Sequence, residues 1–197
     1  MVPARRFITP LQSDTLRSFF GQTQGFFLTG GTALAEFYLG HRDSEDLDLF
    51  AVDKACFDGG RDLLVFAAAQ TGSTLNSLRV TPYFQRHELE RDGQKILVDL
   101  VHDMVPQIVK DKPSSDGVRV DAIEDITANK LCTVLSRIEL KDYVDLYFLD
   151  KAGISIEELA EDIARRTLLQ SLNVRPVLDA EGAETGRFEV PAGGRRF

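Results

Sequence analysis

Asp46 and Asp48 stand one residue apart in the run Asp46-Leu47-Asp48-Leu49-Phe50-Ala51-Val52, where acidic and apolar residues alternate. A period of two is that of a β-strand; it puts both carboxylates on one face and turns Leu47 and Leu49 toward a core. Asp99 interrupts a second apolar run, Lys95 to Val101, on the face shared by Leu97 and Val101. Three carboxylates on one sheet face repel one another unless a cation sits between them. Carboxylate-bound Mg²⁺, commonly as two ions, answers that repulsion and serves phosphoryl chemistry. Alone, an Asp-x-Asp strand is also what a solvated sheet face looks like.

Upstream, Gly30-Gly31 follows the apolar segment Gly25-Phe26-Phe27-Leu28 and opens the helix-forming stretch Thr32 to Leu39. Glycines at that point leave backbone N–H groups free at a helix N-terminus, which is a phosphate site as well as ordinary turn chemistry. Thr32 either caps this helix or touches a phosphate. Arg42 and Ser44 lie between the glycine turn and the acidic strand, where they reach a phosphate or simply make the loop polar. Lys130, Arg137 and Lys141 are spaced by seven and four residues. On one continuous helix they stay within about 40° of each other, a basic stripe suited to a triphosphate or pyrophosphate. The competing reading is a solvated basic face with Glu139 and Asp142 as local partners.

These side chains need a sheet and helices to hold them. The pattern predicts helix over Thr15–Gln22 capped by Ser13 or Asp14, strand over Gly25–Leu28, and helix over Thr32–Leu39 ended by Gly40. It continues with strand over Asp46–Val52, helix over Asp62–Gln70 and strand over Leu78–Glu90. Asp92-Gly93 predicts a type I′ hairpin into Lys95–Val101. Lys110–Gly117, with Pro113 and two serines, reads as a linker. Helices are expected over Ile123–Leu140, Asp142–Asp150 and Ile156–Leu172, the last with acids first and arginines last. The polar stretch from Asn173 reads as a loose tail.

The chain has 197 residues, 43% of them hydrophobic, and a formal net charge of −8. That is enough apolar material for a core and too acidic for a general nucleic-acid coat, although a local basic site is compatible with it. The longest apolar run, Leu63–Ala69, is far short of the roughly 18 residues of a membrane span. Met1–Pro10 carries no apolar segment of a secretory signal. Cys56 and Cys132 lack metal-ligand spacing and read as buried small hydrophobes in a reducing cytosol. His41, His87 and His102 form no zinc pattern. The expectation is a cytoplasmic protein that does not enter the membrane.

Leu28-Thr29-Gly30-Gly31-Thr32-Ala33-Leu34, followed by Arg42-x-Ser44-x-Asp46-Leu47-Asp48-Leu49-Phe50, resembles the signature of polymerase-beta-like nucleotidyltransferases. The finer similarity is to the AbiEii/AbiGii toxin family. Asp99 resembles the third carboxylate, and Lys130, Arg137, Lys141, Asp142 and Asp145 fit the family's Lys, Arg, Lys-Asp-x-x-Asp-Leu pattern. The likeness spans roughly residues 25–150. Relatives usually continue beyond the third C-terminal helix, so a minimal core with a short helical cap is expected.

The resemblance implies an α+β (α/β) fold: a mixed-sheet nucleotidyltransferase core over residues 1–116, a C-terminal helical cap over 117–172 and the loose tail over 173–197. It implies a Mg²⁺-dependent enzyme that moves NMP from an NTP to an acceptor hydroxyl, RNA or tRNA, as a toxin of a toxin–antitoxin or phage-exclusion system. Asp46, Asp48 and Asp99 would be the catalytic and metal-binding carboxylates, with two ions expected. Gly30, Gly31, Thr32, Arg42, Ser44, Lys130, Arg137 and Lys141 would bind the nucleotide. An antitoxin protein would be the partner. The alternatives are an antibiotic-like small-molecule nucleotidyltransferase, whose polycationic substrate suits an acidic surface, and an NTP-binding module without turnover.

Overall fold

The computed structural model describes residues 7–136, 139–160, 175–178 and 184–189. It divides into two compact units, Met1–Ile154 and Ser155–Phe197. The boundary expected at residues 116/117 lies inside the first of these.

The first unit is built on a five-stranded mixed sheet in the order β1-β2-β5-β4-β3, the α+β arrangement that the sequence implied. The strands are β1 (Phe27–Thr29), β2 (Asp46–Ala51), β3 (Thr74–Val80), β4 (Phe84–Arg91) and β5 (Gln94–His102). β2 and β5 run parallel, and the other neighbours are antiparallel. Burial in β2 alternates, so Leu47, Leu49 and Ala51 enter the core while Asp46, Asp48 and Phe50 face the other way. Val98 and Leu100 of β5 join the same core.

Two helices close that side. α1 (Pro10–Phe20) begins earlier than the expected Thr15. Thr9 and Gln12 form a reciprocal capping box around Pro10, stronger start chemistry than Ser13 or Asp14 offers. α3 (Lys54–Thr71) likewise begins well before the expected Asp62, capped by Asp53, whose carboxylate accepts from the Cys56 amide at 2.8 Å. Gly59-Gly60 disguised its first half. Gly60 is there because a Cβ would strike Phe26 and Leu100, so the helix lies close against the sheet.

The stretch expected as one strand over Leu78–Glu90 is two, β3 and β4, parted at Thr81-Pro82-Tyr83. Pro82 has no N–H to give to a ladder, and Thr81 ties the turn through its hydroxyl to the Phe84 amide at 3.0 Å. Asp92 (φ 54°) and Gly93 (φ 78°) make the hairpin expected from their pairing.

Gly30–Ala33 is a short α-helix (α2) that runs into a π-helical turn over Leu34–Leu39, ended by Gly40 in the left-handed region at φ 58°. Lys110–Gly117 is not a free linker. Lys112 is buried between Asp121 (2.7 Å) and Asp125 (2.9 Å), and β6 (Ser114–Ser115) pairs with β7 (Val118–Arg119). The segment after β7 then docks beside β1 through the Asp121 amide and the Leu28 carbonyl.

The long helix expected over Ile123–Leu140 is also divided. α4 covers Ile123–Ser136, and α5 (Leu140–Lys151) starts after Glu139, whose backbone is extended. Lys130 and Lys141 therefore belong to different helices and form no single stripe; Arg137 lies outside the described residues. α4 and α5 pack on each other and on the π-helical turn.

In the second unit, residues 156–160 are helical, and the rest of the helix expected to Leu172 lies outside the described residues. The tail is not uniformly loose: β8 (Arg175–Leu178) pairs antiparallel with β9 (Glu184–Glu189).

Candidate active site

Register gathers the acids. β2 and β5 place Asp48 directly beside Asp99, and β1 places Thr29 on the other side of Asp48. Asp46 and Asp48 point from the same strand face into a cavity of about 840 Å³. Gly30 and Gly31, Arg42 and Ser44, and Lys130 and Lys141 also line it.

Asp48 shows what that crowding costs. Burial, then the neighbouring Asp99 and Asp46, pushes its carboxyl up to about 6. Burial also raises Asp46, against the opposing pull of Lys141. Among the described residues neither side chain accepts a hydrogen bond or joins an ion pair. Two desolvated carboxylates with free oxygens have the hard-donor chemistry a divalent cation takes. Among the described residues no three acid, His or Cys side chains converge as a complete metal shell. A Mg²⁺ here would be held by Asp46 and Asp48 and completed by water and substrate phosphate, the usual habit of this ion.

Asp99 is differently placed. Arg86, its register partner on β4, grips it at two points: Nε to Oδ1 at 2.8 Å and Nη2 to Oδ2 at 2.6 Å. The Asp99 pairing in turn raises the Arg86 pKa. Arg86 lines the cavity; as an arginine it was readable as part of a local basic patch with Arg79 and Arg91, but its pairing with Asp99 is invisible until the register is known.

Gly30 adopts φ 70°, and a Cβ on it would overlap the Asp48 carboxylate. A Cβ on Gly31 would overlap the Arg42 guanidinium. Both glycines thus bring backbone against the charged groups. Thr32 does not reach the cavity: it is fully buried, donates to the Asp46 carbonyl and shares a 2.8 Å hydrogen bond with the Ser44 hydroxyl. It fixes the loop that carries Ser44 to the start of β2.

The cations have their own anchor. Asp145, fully buried, accepts from Arg42 at 2.7 and 2.9 Å, from Lys130 at 2.7 Å and lies 2.7 Å from His41 Nε2. Burial opposes its charge, but the Arg42 and Lys130 bonds prevail and hold its carboxyl down to about 2. Asp142, equally buried, takes Lys130 at 2.8 Å. Asp142 and Asp145 therefore turn Arg42 and Lys130 into fixed cavity-wall cations. Lys141 is half-exposed beside Glu139 at 3.1 Å. Cys132 is exposed on the cavity wall and Cys56 half-buried, so neither is the buried hydrophobe expected from composition. Cys132 sits on the face of α4 turned to the site rather than to the core.

Residues 14–191 match the sequence family described as nucleotidyl transferase AbiEii toxin, type IV TA system. An uncharacterised protein of Aquifex aeolicus (strain VF5), aq_aa25, is 28% identical over 173 residues, covering 86% of this chain and 80% of that one. The crystal structure of JHP933 from Helicobacter pylori superposes with a TM-score of 0.61 at 20% identity, covering 81% of this chain and 75% of that one. The nucleotidyltransferase toxin MenT4 of Mycobacterium tuberculosis H37Rv gives 0.58 at 19% identity, covering 83% and 63%. At such identities these two structures share the fold.

Proposed function

The chain belongs to the AbiEii nucleotidyl transferase toxin family, and from that premise we propose that it transfers NMP from an NTP to a hydroxyl of RNA, tRNA being the leading acceptor. The observation that carries the reading is the pair Asp46 and Asp48, desolvated in the cavity, without a hydrogen-bond or ion-pair partner among the described residues, and set against the Gly30-Gly31 turn. A Mg²⁺ bound by these carboxylates, with a second ion in the usual two-ion arrangement, would neutralise charge on the triphosphate.

The protein's own groups do the rest. Gly30 and Gly31 admit the β- and γ-phosphates to backbone N–H groups. Arg42, Ser44, Lys130 and Lys141 face the same phosphates, with Arg137 assigned there by family pattern alone. Asp99, aligned by Arg86, orients the acceptor hydroxyl and takes its proton. The acceptor oxygen forms a bond to the α-phosphorus as the bridging bond to the β-phosphate breaks, and pyrophosphate leaves toward Lys130 and Lys141. Catalysis of this kind is positioning and charge stabilisation.

An antitoxin is the expected partner from family membership. Among the described residues no helix is long and apolar enough to cross a membrane. Residues 1–116 supply Asp46, Asp48, Asp99 and the glycine turn, and 117–172 supply Lys130 and Lys141.

The test is incubation with each labelled NTP, Mg²⁺ and total RNA. Label transferred into RNA with pyrophosphate release is the expected result. Transfer only to an aminoglycoside would replace it with the small-molecule reading, and NTP binding without pyrophosphate release would leave a binding module.

A further inference from the structure

Five residues, one per strand, stand in register across the whole sheet: Thr29, Asp48, Asp99, Arg86 and Arg79. Along this row the charge passes from the acids of β2 and β5 to two arginines on β4 and β3. Both guanidinium groups lie over one ring, that of Phe84, each 5.7 Å from its centroid. Arg86 is held by Asp99. Arg79 is exposed and joins no ion pair among the described residues.

Building on the RNA-transfer reading, we infer that Arg79, Phe84 and the free edge of Arg86 form the acceptor subsite, which takes a single-stranded segment of RNA. The reasoning is directional. The Gly30-Gly31 turn, Lys130 and Lys141 gather on the β1 and β2 side of the acids, which leaves the β5-β4-β3 side for the other reactant. In-line displacement requires the entering oxygen to come from opposite the leaving pyrophosphate. The acceptor therefore approaches over Asp99, and the next groups it meets are Arg86, Phe84 and Arg79.

Their chemistry selects among acceptors. A guanidinium offers paired donors to a phosphodiester, and its plane, held here over the Phe84 ring, gives an unpaired base a surface to stack on. A chain of net charge −8 repels RNA overall, so binding has to be concentrated where unneutralised cations are exposed. A polycationic small molecule would meet two arginines at this place and be repelled.

The experiment uses the full chain, fluorescein-labelled unfractionated bacterial tRNA and a salt series, with Arg79→Glu, Arg79→Ala and Phe84→Leu. Expected are a rise of about tenfold in tRNA Kd and in the KM for RNA for Arg79→Glu, and a salt slope smaller by about one for Arg79→Ala. The affinity for fluorescent NTP and the melting temperature stay at wild-type values for the Arg79 variants. If the wild type labels RNA and both Arg79 variants and Phe84→Leu bind tRNA as it does, the subsite is overturned while the transferase reading stands. If the wild type binds no tRNA at low salt, the RNA acceptor itself is overturned. Arg79 lies on the exposed edge strand, so its variants keep the test valid even if Phe84→Leu folds poorly.

Discussion

Arg86 and Asp99 face each other across β4 and β5 in a two-point grip, 2.8 and 2.6 Å, at the middle of a charged row that crosses the sheet. A planar guanidinium can do this and an ammonium cannot. Arg86→Lys keeps the charge and loses the fork. It should lower kcat by about 10- to 100-fold, since small misplacement of a reacting group has that effect, while tRNA Kd changes much less. Steady-state kinetics beside anisotropy titration checks this; unchanged kcat would remove Arg86 from a positioning role.

Asp46→Asn and Asp48→Asn should each reduce NMP transfer by on the order of 10³-fold or more, the scale of losing an essential group of a catalytic unit. Circular dichroism should show the fold retained, because both side chains face the cavity and not the core. Full activity in either variant would remove that residue from the proposed metal pair.

The Asp48 carboxyl carries a pH signature. In the folded chain its pKa stands at about 6 against an ordinary 3.8, so the native state holds this proton more tightly than the unfolded state. Stability is therefore lost as pH rises from about 4 to about 6, and the loss is complete above that. After discounting for solvent screening it amounts to about 1–2 kcal/mol. Mg²⁺ should restore it, raising Tm by about 3–6 °C at pH 8 and hardly at all at pH 5. Asp48→Asn should melt higher than wild type without Mg²⁺ at pH 8 and lose the Mg²⁺ response. A Mg²⁺ shift equal at both pH values would assign it to another group.

Asp145 has the opposite sign. Its folded carboxyl is held at about 2, so the stability it contributes is present above the unfolded value near 4 and disappears as pH falls from there to 2. Asp145→Asn leaves Lys130 and Arg42 without their shared anion and should cost about 3–5 kcal/mol in urea unfolding. It should also weaken NTP binding, because Arg42 loses its buried anchor and Lys130 keeps only Asp142.

Gly30→Ala combines a strained backbone at φ 70° with a clash on the Asp48 carboxylate. The strain alone should cost about 1–2 kcal/mol, and NTP affinity should fall as the turn shifts. Calorimetry with and without nucleotide separates the two effects. Wild-type affinity in a stable Gly30→Ala would show that the close approach is not needed.

Much of this was legible in the chain itself. The two-residue period of Asp46 to Ala51 fixed which side chains share a face, because alternation is a local property of an extended backbone. The Gly30-Gly31 turn, the Gly40 stop and the Asp92-Gly93 hairpin were readable for the same reason: each rests on the φ range that glycine or aspartate tolerates. What was misread depended on distant partners. Lys112 looked like linker polarity until Asp121 and Asp125 came to it, and Lys130 and Lys141 looked like one helical stripe until the fold put them on separate helices, α4 and α5. Thr32, expected either to cap its helix or to touch a phosphate, is instead buried against the Ser44 hydroxyl and the Asp46 carbonyl.

The sequence by itself determined the acids, their shared face, the turn before them and the family they belong to. Only the tertiary structure decided that Asp99 is gripped by Arg86, that Asp145 gathers Arg42, His41 and Lys130, and that Arg79 ends the charged row. The physical reason is that strand register and buried ion pairing join residues far apart in the chain. No local period encodes them, and the desolvation that makes them strong exists only once the sheet and its helices have closed.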